Sequence, residues 1–178
     1  MTTQILIAGF GGQGVLFAGK FLAYKGMVED LNISWLPSYG PEMRGGTANC
    51  SVVLSDMPVG SPIITAPDVL VAMNLPSLQK FVDSVVPGGK IFVDSTLILR
   101  KIARDDVQAF YVPATQIANE MGIPTLANMI ILGKVLSEYP EIGMEHLEAA
   151  MGKVVSAKRA NLIEQNLNAI KLGYEYKA

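Results

Sequence analysis

The chain has 178 residues, enough for one domain with a sizeable core. Half of the residues are apolar, 17% are charged, the formal charge is −2 and the mean hydropathy is +0.34. That balance leaves no basic patch for nucleic acid, and no run approaches the roughly 18 apolar residues of a membrane span. The apolar excess fits a chain buried in an assembly or, alternatively, an unusually well-filled core. The N-terminus lacks a basic segment ahead of its apolar run, so a cytoplasmic location is expected. Cys50 is the only cysteine and His146 the only histidine. An internal disulfide, a cluster held by this chain alone and a zinc site are therefore not expected.

Residues 4–8 (Gln-Ile-Leu-Ile-Ala) read as a first strand, and Gly14 to Glu29 as a helix. Between them lies Gly9-Phe10-Gly11-Gly12-Gln13-Gly14, which fits G-x-G-x-x-G with an extra glycine. Such a turn bends sharply and lets amide N–H groups face an anion or a partner. Small residues at Ala18, Gly19, Ala23 and Gly26 would let the helix lie close on a sheet. Asn32 to Leu36 reads as strand two. The stretch from Pro37 to Gly46 reads as a surface loop carrying Tyr39, Glu42 and Arg44, a second candidate site.

Residues 47–54 read as a strand. No helix separates them from strand two, which allows an antiparallel pairing. Asp68 to Ala72 is a buried strand, and Asn74 an N-cap with Pro76 in the first turn of a helix to about Val85. Lys90–Asp94 and Gln108–Val112 are strands. A helix follows from Ala114 to Met121, with Gly122 suited to the position after its end. Ala127 to Glu138 is apolar on nearly every face and reads as a buried helix. Gly143–Met151 reads as a short helix. A last helix runs from Ala157 to about Leu172, with Ile163, Leu167 and Ile170 turned inward. The expected class is a single three-layer α/β/α domain, with a mostly parallel or mixed sheet and a helical C-terminal region.

As a dinucleotide site, the turn would need an acid at the end of strand two to hold the ribose. That strand ends in Leu36-Pro37-Ser38, and Glu29 and Asp30 precede it. A P-loop would need Gly-Lys-Ser/Thr, and Lys20 lies six residues beyond the turn. A free-standing nucleotide-binding domain nevertheless remains the alternative reading of the turn. Tyr39, Glu42 and Arg44 could act on a ligand, since Arg holds carboxylate or phosphate in a fork. Equally, Glu42 and Arg44 could fix the loop or pair across an interface. His146 is expected to be solvated, and Cys50 and the methionines at 121, 129, 144 and 151 to be packing. No nucleophile–base pair is evident in the sequence.

Gly9–Gly14, then Pro37-Ser38-Tyr39-Gly40-Pro41-Glu42-Met43-Arg44-Gly45-Gly46-Thr47, then Asn128-Met129 before Leu132-Gly133, resemble the gamma subunit of the 2-oxoacid:ferredoxin oxidoreductases. The resemblance covers essentially the whole chain, and the Tyr-Gly-Pro-Glu-Met-Arg form is most similar to 2-oxoglutarate or branched-chain members. It implies oxidative decarboxylation of a 2-oxoacid with coenzyme A. The products are acyl-CoA, carbon dioxide and two reduced one-electron carriers, ferredoxin or flavodoxin. It also implies that thiamine diphosphate and magnesium sit on alpha and beta subunits, and iron–sulfur clusters on beta and, where present, delta subunits. This chain would be structural and would help enclose the coenzyme A site. Its contact residues would be Gly9, Gly11, Gly12, Gln13, Gly14, Tyr39, Gly40, Glu42, Arg44, Gly45, Gly46, Thr47 and Asn128. A gamma chain made alone would be able to self-associate through its apolar interface.

Overall fold

The computed structural model describes residues 1–38 and 47–177. The expected loop residues Tyr39, Gly40, Glu42, Arg44, Gly45 and Gly46 lie outside them, as does the side chain of Thr47. Six strands form one sheet: β1 (Thr2–Phe10), β2 (Asn32–Ser38), β3 (Thr47–Ser55), β4 (Val69–Ala72), β5 (Lys90–Asp94) and β6 (Gln108–Val112). Their spatial order is β2-β3-β1-β4-β5-β6. Strands β1, β4, β5 and β6 run parallel, while β3 pairs antiparallel with both β1 and β2. The sheet is therefore mixed, as the missing helix between β2 and β3 allowed. β2 is not beside β1, because β3 occupies that place.

Strand β2 extends through Pro37 and Ser38, beyond the expected end at Leu36. It is an edge strand, where a residue without an N–H is tolerated. The helices are α1 (Val15–Val28), α2 (Leu75–Phe81), α3 (Ala114–Glu120), α4 (Ala127–Glu138), α5 (Leu147–Val154) and α6 (Asn161–Glu175). Asn74 caps α2 by accepting the Ser77 N–H at 2.8 Å. The expected helix over 143–151 begins only at Leu147. Gly143 and His146 both have positive φ, 67° and 54°, which no right-handed helix accommodates. Residues 157–159 form one 3₁₀ turn, and α6 continues to Glu175, past the expected end at Leu172.

Helix α1 lies close on the antiparallel half of the sheet because it has glycines at the contact. A Cβ on Gly26 would stand 2.6 Å from Leu54 Cδ2 and 2.9 Å from Ile33 Cγ2. One on Gly19 would collide with Cys50 Sγ. Below α1, the buried Lys25 ammonium donates to the Ile142 carbonyl at 2.7 Å and to Glu29. Glu29 also meets His146 Nδ1 at 3.1 Å. The lysine's burial is tolerable because both partners are in place. His146 is largely solvent-exposed, with Glu29 as its one protein contact among the described residues.

Helix α4 is buried along nearly its whole length, between the sheet and α6. Its crossing with α6 is a backbone-to-backbone contact. A Cβ on Gly133 would overlap the Ile170 carbonyl, and one on Gly173 would overlap the Ile130 carbonyl. Rigid backbone cannot move aside as a side-chain tip can, so overpacking here should cost about 3 kcal/mol or more. Gly133→Ala is expected to lower the unfolding free energy by an amount of that order, read as a lower urea midpoint. An unchanged midpoint would mean that the two helices do not approach this closely.

Candidate functional site

The glycine turn leaves the carboxyl end of β1 and enters α1. Gln13 closes it with its side chain. Its Oε1 accepts the Phe10 N–H at 2.6 Å and its Nε2 donates to the Met73 carbonyl at 3.0 Å, tying the turn to the end of β4. The Gln13 N–H returns to the Phe10 carbonyl at 3.2 Å. Gly9 is needed for room: a Cβ there would stand 3.0 Å from Val15 Cγ2 and 3.1 Å from Met73 Cβ. Gly12 and Gly14 are needed for conformation, with φ of 94° and 72°.

Asn128, at the start of α4, completes the turn from the other side. Its Nδ2 donates to the Gly14 carbonyl at 3.0 Å, which also accepts the Ala18 N–H at 2.9 Å. Its Oδ1 accepts the Met129 N–H at 2.9 Å. Residues 114 positions apart thus meet. Among the described residues, the amides of Gly11, Gly12 and Gly14 have no hydrogen-bond partner. With the positive end of α1 behind them, they suit an anion or a partner's carbonyls.

The turn lies at the sheet's switch point. Helix α1 packs on one face of the sheet and α2 on the other, and they follow the neighbouring parallel strands β1 and β4. Ligands of open α/β sheets bind in the crevice outside such a pair. Here that crevice is a cleft of about 260 Å³ lined by Gly12, Gln13, Met73, Leu97, Thr115, Pro124, Thr125 and Ala127. Thr115 is held there by buried Asp94, which accepts its hydroxyl at 2.6 Å and its N–H at 3.3 Å. Apart from the turn residues Gly12 and Gln13, none of the lining was singled out in the sequence. The rest of the lining comes from loops and helix starts after β4, β5 and β6, and only the strand order shows that these converge. A larger hollow of about 480 Å³ between α2 and residues 100–104 shares no residue with the turn. Arg104, at its wall, is already engaged by Val82 O, Val85 O and Asp106.

The strands on either side of the second motif end at this end of the sheet. Thr47 pairs with Phe10 and Ser38 with Asn49, so the described ends flanking residues 39–46 are on the side of the glycine turn. The strand next to β1 is antiparallel β3, whereas a dinucleotide fold places there a parallel strand ending in the ribose-binding acid. Burial pushes the Cys50 thiol up to about 12. It is a neutral thiol donating to Val15 O at 3.4 Å, not a thiolate ligand. Among the described residues, no three His, Cys, Asp or Glu side chains gather as a metal site, and no helix is long and apolar enough to cross a membrane.

Residues 4–176 match the family model described as pyruvate ferredoxin/flavodoxin oxidoreductase. A ketoisovalerate oxidoreductase subunit VorA from Methanothermobacter thermautotrophicus is 42% identical over 174 residues, 97% of this chain and 36% of the relative. The chain thus spans about a third of that relative's length. A 2-oxoglutarate synthase subunit KorC from Methanocaldococcus jannaschii is 34% identical over 178 residues, covering 98% of this chain and 94% of the relative. Among solved structures, 2-oxoglutarate:ferredoxin oxidoreductase from Magnetococcus marinus, with 2-oxoglutarate, coenzyme A and succinyl-CoA bound, superposes with a TM-score of 0.86 at 26% identity. That match covers 97% of this chain and 30% of the other. The chain belongs to the pyruvate ferredoxin/flavodoxin oxidoreductase family, in which it is of the gamma-subunit type.

Two outcomes follow from this geometry. Gln13→Ala should remove two hydrogen bonds and leave the Met73 carbonyl and Phe10 amide unpaired. That should cost about 1–3 kcal/mol in urea unfolding and speed hydrogen exchange at Phe10. Unchanged stability and exchange would mean that the side chain does not close the turn. Native chain at pH 8 should resist iodoacetamide at Cys50 and react only once unfolded. Prompt labelling of the folded chain would contradict a buried, un-ionised thiol.

Proposed function

We propose that the chain is the gamma subunit of a heteromeric 2-oxoacid:ferredoxin or flavodoxin oxidoreductase, and that its glycine turn and the 38–46 loop form one surface facing the alpha and beta subunits. The reaction joins the acyl group of a decarboxylated 2-oxoacid to coenzyme A and passes two electrons to one-electron carriers. Thiamine diphosphate, magnesium and the clusters belong to the other subunits, with delta present in some assemblies. The one cysteine is a buried, un-ionised thiol, which does not suit a cluster ligand. The observation that carries the reading is the set of amides at Gly11, Gly12 and Gly14 without a partner among the described residues, in a turn whose Gly12 and Gln13 line the switch-point cleft. Those donors fit a phosphate of coenzyme A or carbonyl groups of a partner subunit.

The chain's own residues bind and orient; the bond-making chemistry belongs to the thiamine site when the complex is loaded. Gln13 and Asn128 hold the turn rigid, so its amides are set before the ligand arrives and less ordering is needed on binding. Met73, Leu97 and Pro124 make the cleft wall apolar, which suits an uncharged arm next to an anionic head. Arg44 contributes the counter-charge, to a partner carboxylate or to a coenzyme A phosphate. The KorC similarity supports 2-oxoglutarate as the substrate, and the VorA similarity keeps a branched-chain 2-oxoacid as the second candidate.

Arg44→Ala in the assembled complex separates the two contacts. A lost phosphate contact should raise the KM for coenzyme A about tenfold or more, and a lost partner contact should lower recovery of the complex similarly. Wild-type values for both would sink the role given to Arg44. Dye reduction by the purified complex with 2-oxoglutarate, 2-oxoisovalerate or pyruvate identifies the substrate. Equal, negligible rates with all three would remove the oxidoreductase reading.

A further inference from the structure

The two faces of the sheet are covered unequally. One carries α1, α3, α4, α5 and α6. The core cluster on the other draws on β1, β4, β5, α2 and the segment after β5, and contains no residue of β2 or β3. On that second face the register aligns Ser34 with Val53 and Gln4, and Leu36 with Ser51 and Leu6. The alternate residues, among them Trp35, Cys50 and Val52, point into the helical face. None of the side chains in these two rows is charged.

Past Asp56, which is exposed and ion-paired with the N-terminal ammonium, the chain is again uncharged. Met57 to Pro67 contains no charged residue, and it leaves Met57 65% and Ile63 66% exposed. With Gln4 and Val53 it frames a groove of about 270 Å³. At the other end, Leu36 and Phe10 are 41% and 40% exposed, and Phe10 begins the glycine turn. A half-sheet facing water normally carries charges that keep it monomeric. Val53 and Leu6 are buried within this face, Gln4, Ser34 and Ser51 are half-buried, and the exposed large apolar side chains stand at its two ends. A sheet face without charges and flanked by such side chains is the mark of an interface.

We propose that this half-face, from Ile63 to Leu36, seats the chain on a catalytic subunit of the complex. The occupant is a protein surface with few charges, the counterpart of the body that longer relatives carry on the same chain. This rests on the gamma-subunit reading. Two observations favour that occupant over a second copy. Relatives carry this unit either within a chain of which it is 36% or as a chain of its own size, so a separate chain must hold by surface contact what the longer ones hold covalently. On β1 the same face passes through buried Leu6 and Ala8 and ends at exposed Phe10, where the glycine turn begins, the surface proposed above for the same partners.

The test co-expresses the tagged full chain with the alpha and beta subunits and weighs the subunits recovered with it. Ser51→Arg places a charge at the centre of the face, Ile63→Glu one on its exposed loop, and Leu172→Glu one on the helical side as a control. Circular dichroism confirms that each variant folds; Ile63, on a surface loop, keeps the test open if Ser51→Arg does not. Recovery should fall about tenfold or more for Ser51→Arg and Ile63→Glu and stay at the wild-type level for Leu172→Glu. Wild-type recovery with both face variants, while the wild-type complex forms, would overturn this proposal alone. A wild-type chain that recovers neither subunit would overturn it together with the gamma-subunit reading. A dimer of the isolated chain that Ser51→Arg dissociates, with the complex unaffected, would assign the face to a second copy instead.

Discussion

The structure depends on how closely α1 can approach the sheet. The approach is set by glycines at the contact: Gly9 at the turn, Gly19 against Cys50, and Gly26 against Leu54 and Ile33. Each removes a side chain that would push the helix outward, at the cost of roughly 1 kcal/mol of helix propensity where the glycine is helical. Close packing offsets that cost, and it fixes where the helix begins. Because the helix start is fixed, the amides ahead of it have one position relative to β4, and Gln13 can bridge from Phe10 to Met73. The site is thus a consequence of packing that begins two turns away.

The same economy shapes the rest of the fold. Helix α4 reaches Gly14 through Asn128 at one end, while Gly133, in its second half, lets α6 lie against it. One helix therefore connects the candidate site to the C-terminal layer. The layers are lopsided: five helices stand on one face of the sheet, and one short helix with a loop covers part of the other. The apolar excess in the composition has two sources. Much of it fills the thick layer, and part is left exposed on the thin side, at Phe10, Leu36, Met57, Ile63 and Leu99.

Much of this was legible in the sequence because the signals were local. The strand–turn–helix start, the Asn74 cap, the buried α4 and the tight seat of α1 all rest on residues within a few positions of each other. The antiparallel β3 followed from the missing helix. What was not legible depended on distant partners. The placement of β3 between β1 and β2 follows from pairing between residues some forty to fifty apart, such as Ile7 with Cys50. Lys25 reads as a surface lysine until Ile142 and Glu29 surround its ammonium group. The start of α5 was misplaced because His146 takes a left-handed conformation that is rare outside glycine. Most of the cleft was missed for the same reason as β3: Met73, Leu97, Thr115 and Pro124 converge only once the strand order is known. Asn128 and Gly14 both belong to the motifs that carry the family resemblance, but nothing in the sequence paired them; the hydrogen bond between them forms only in the fold.

The central claim is that the rigid glycine turn faces the partners of the complex rather than water. The most direct measurement is a cryo-EM structure of this chain purified with its alpha and beta subunits in the presence of coenzyme A. The account predicts density for a coenzyme A phosphate, or for partner backbone, within hydrogen-bond distance of the Gly11, Gly12 and Gly14 amides. A complex in which the turn and the switch-point cleft open onto bulk solvent, with coenzyme A held elsewhere, would contradict it.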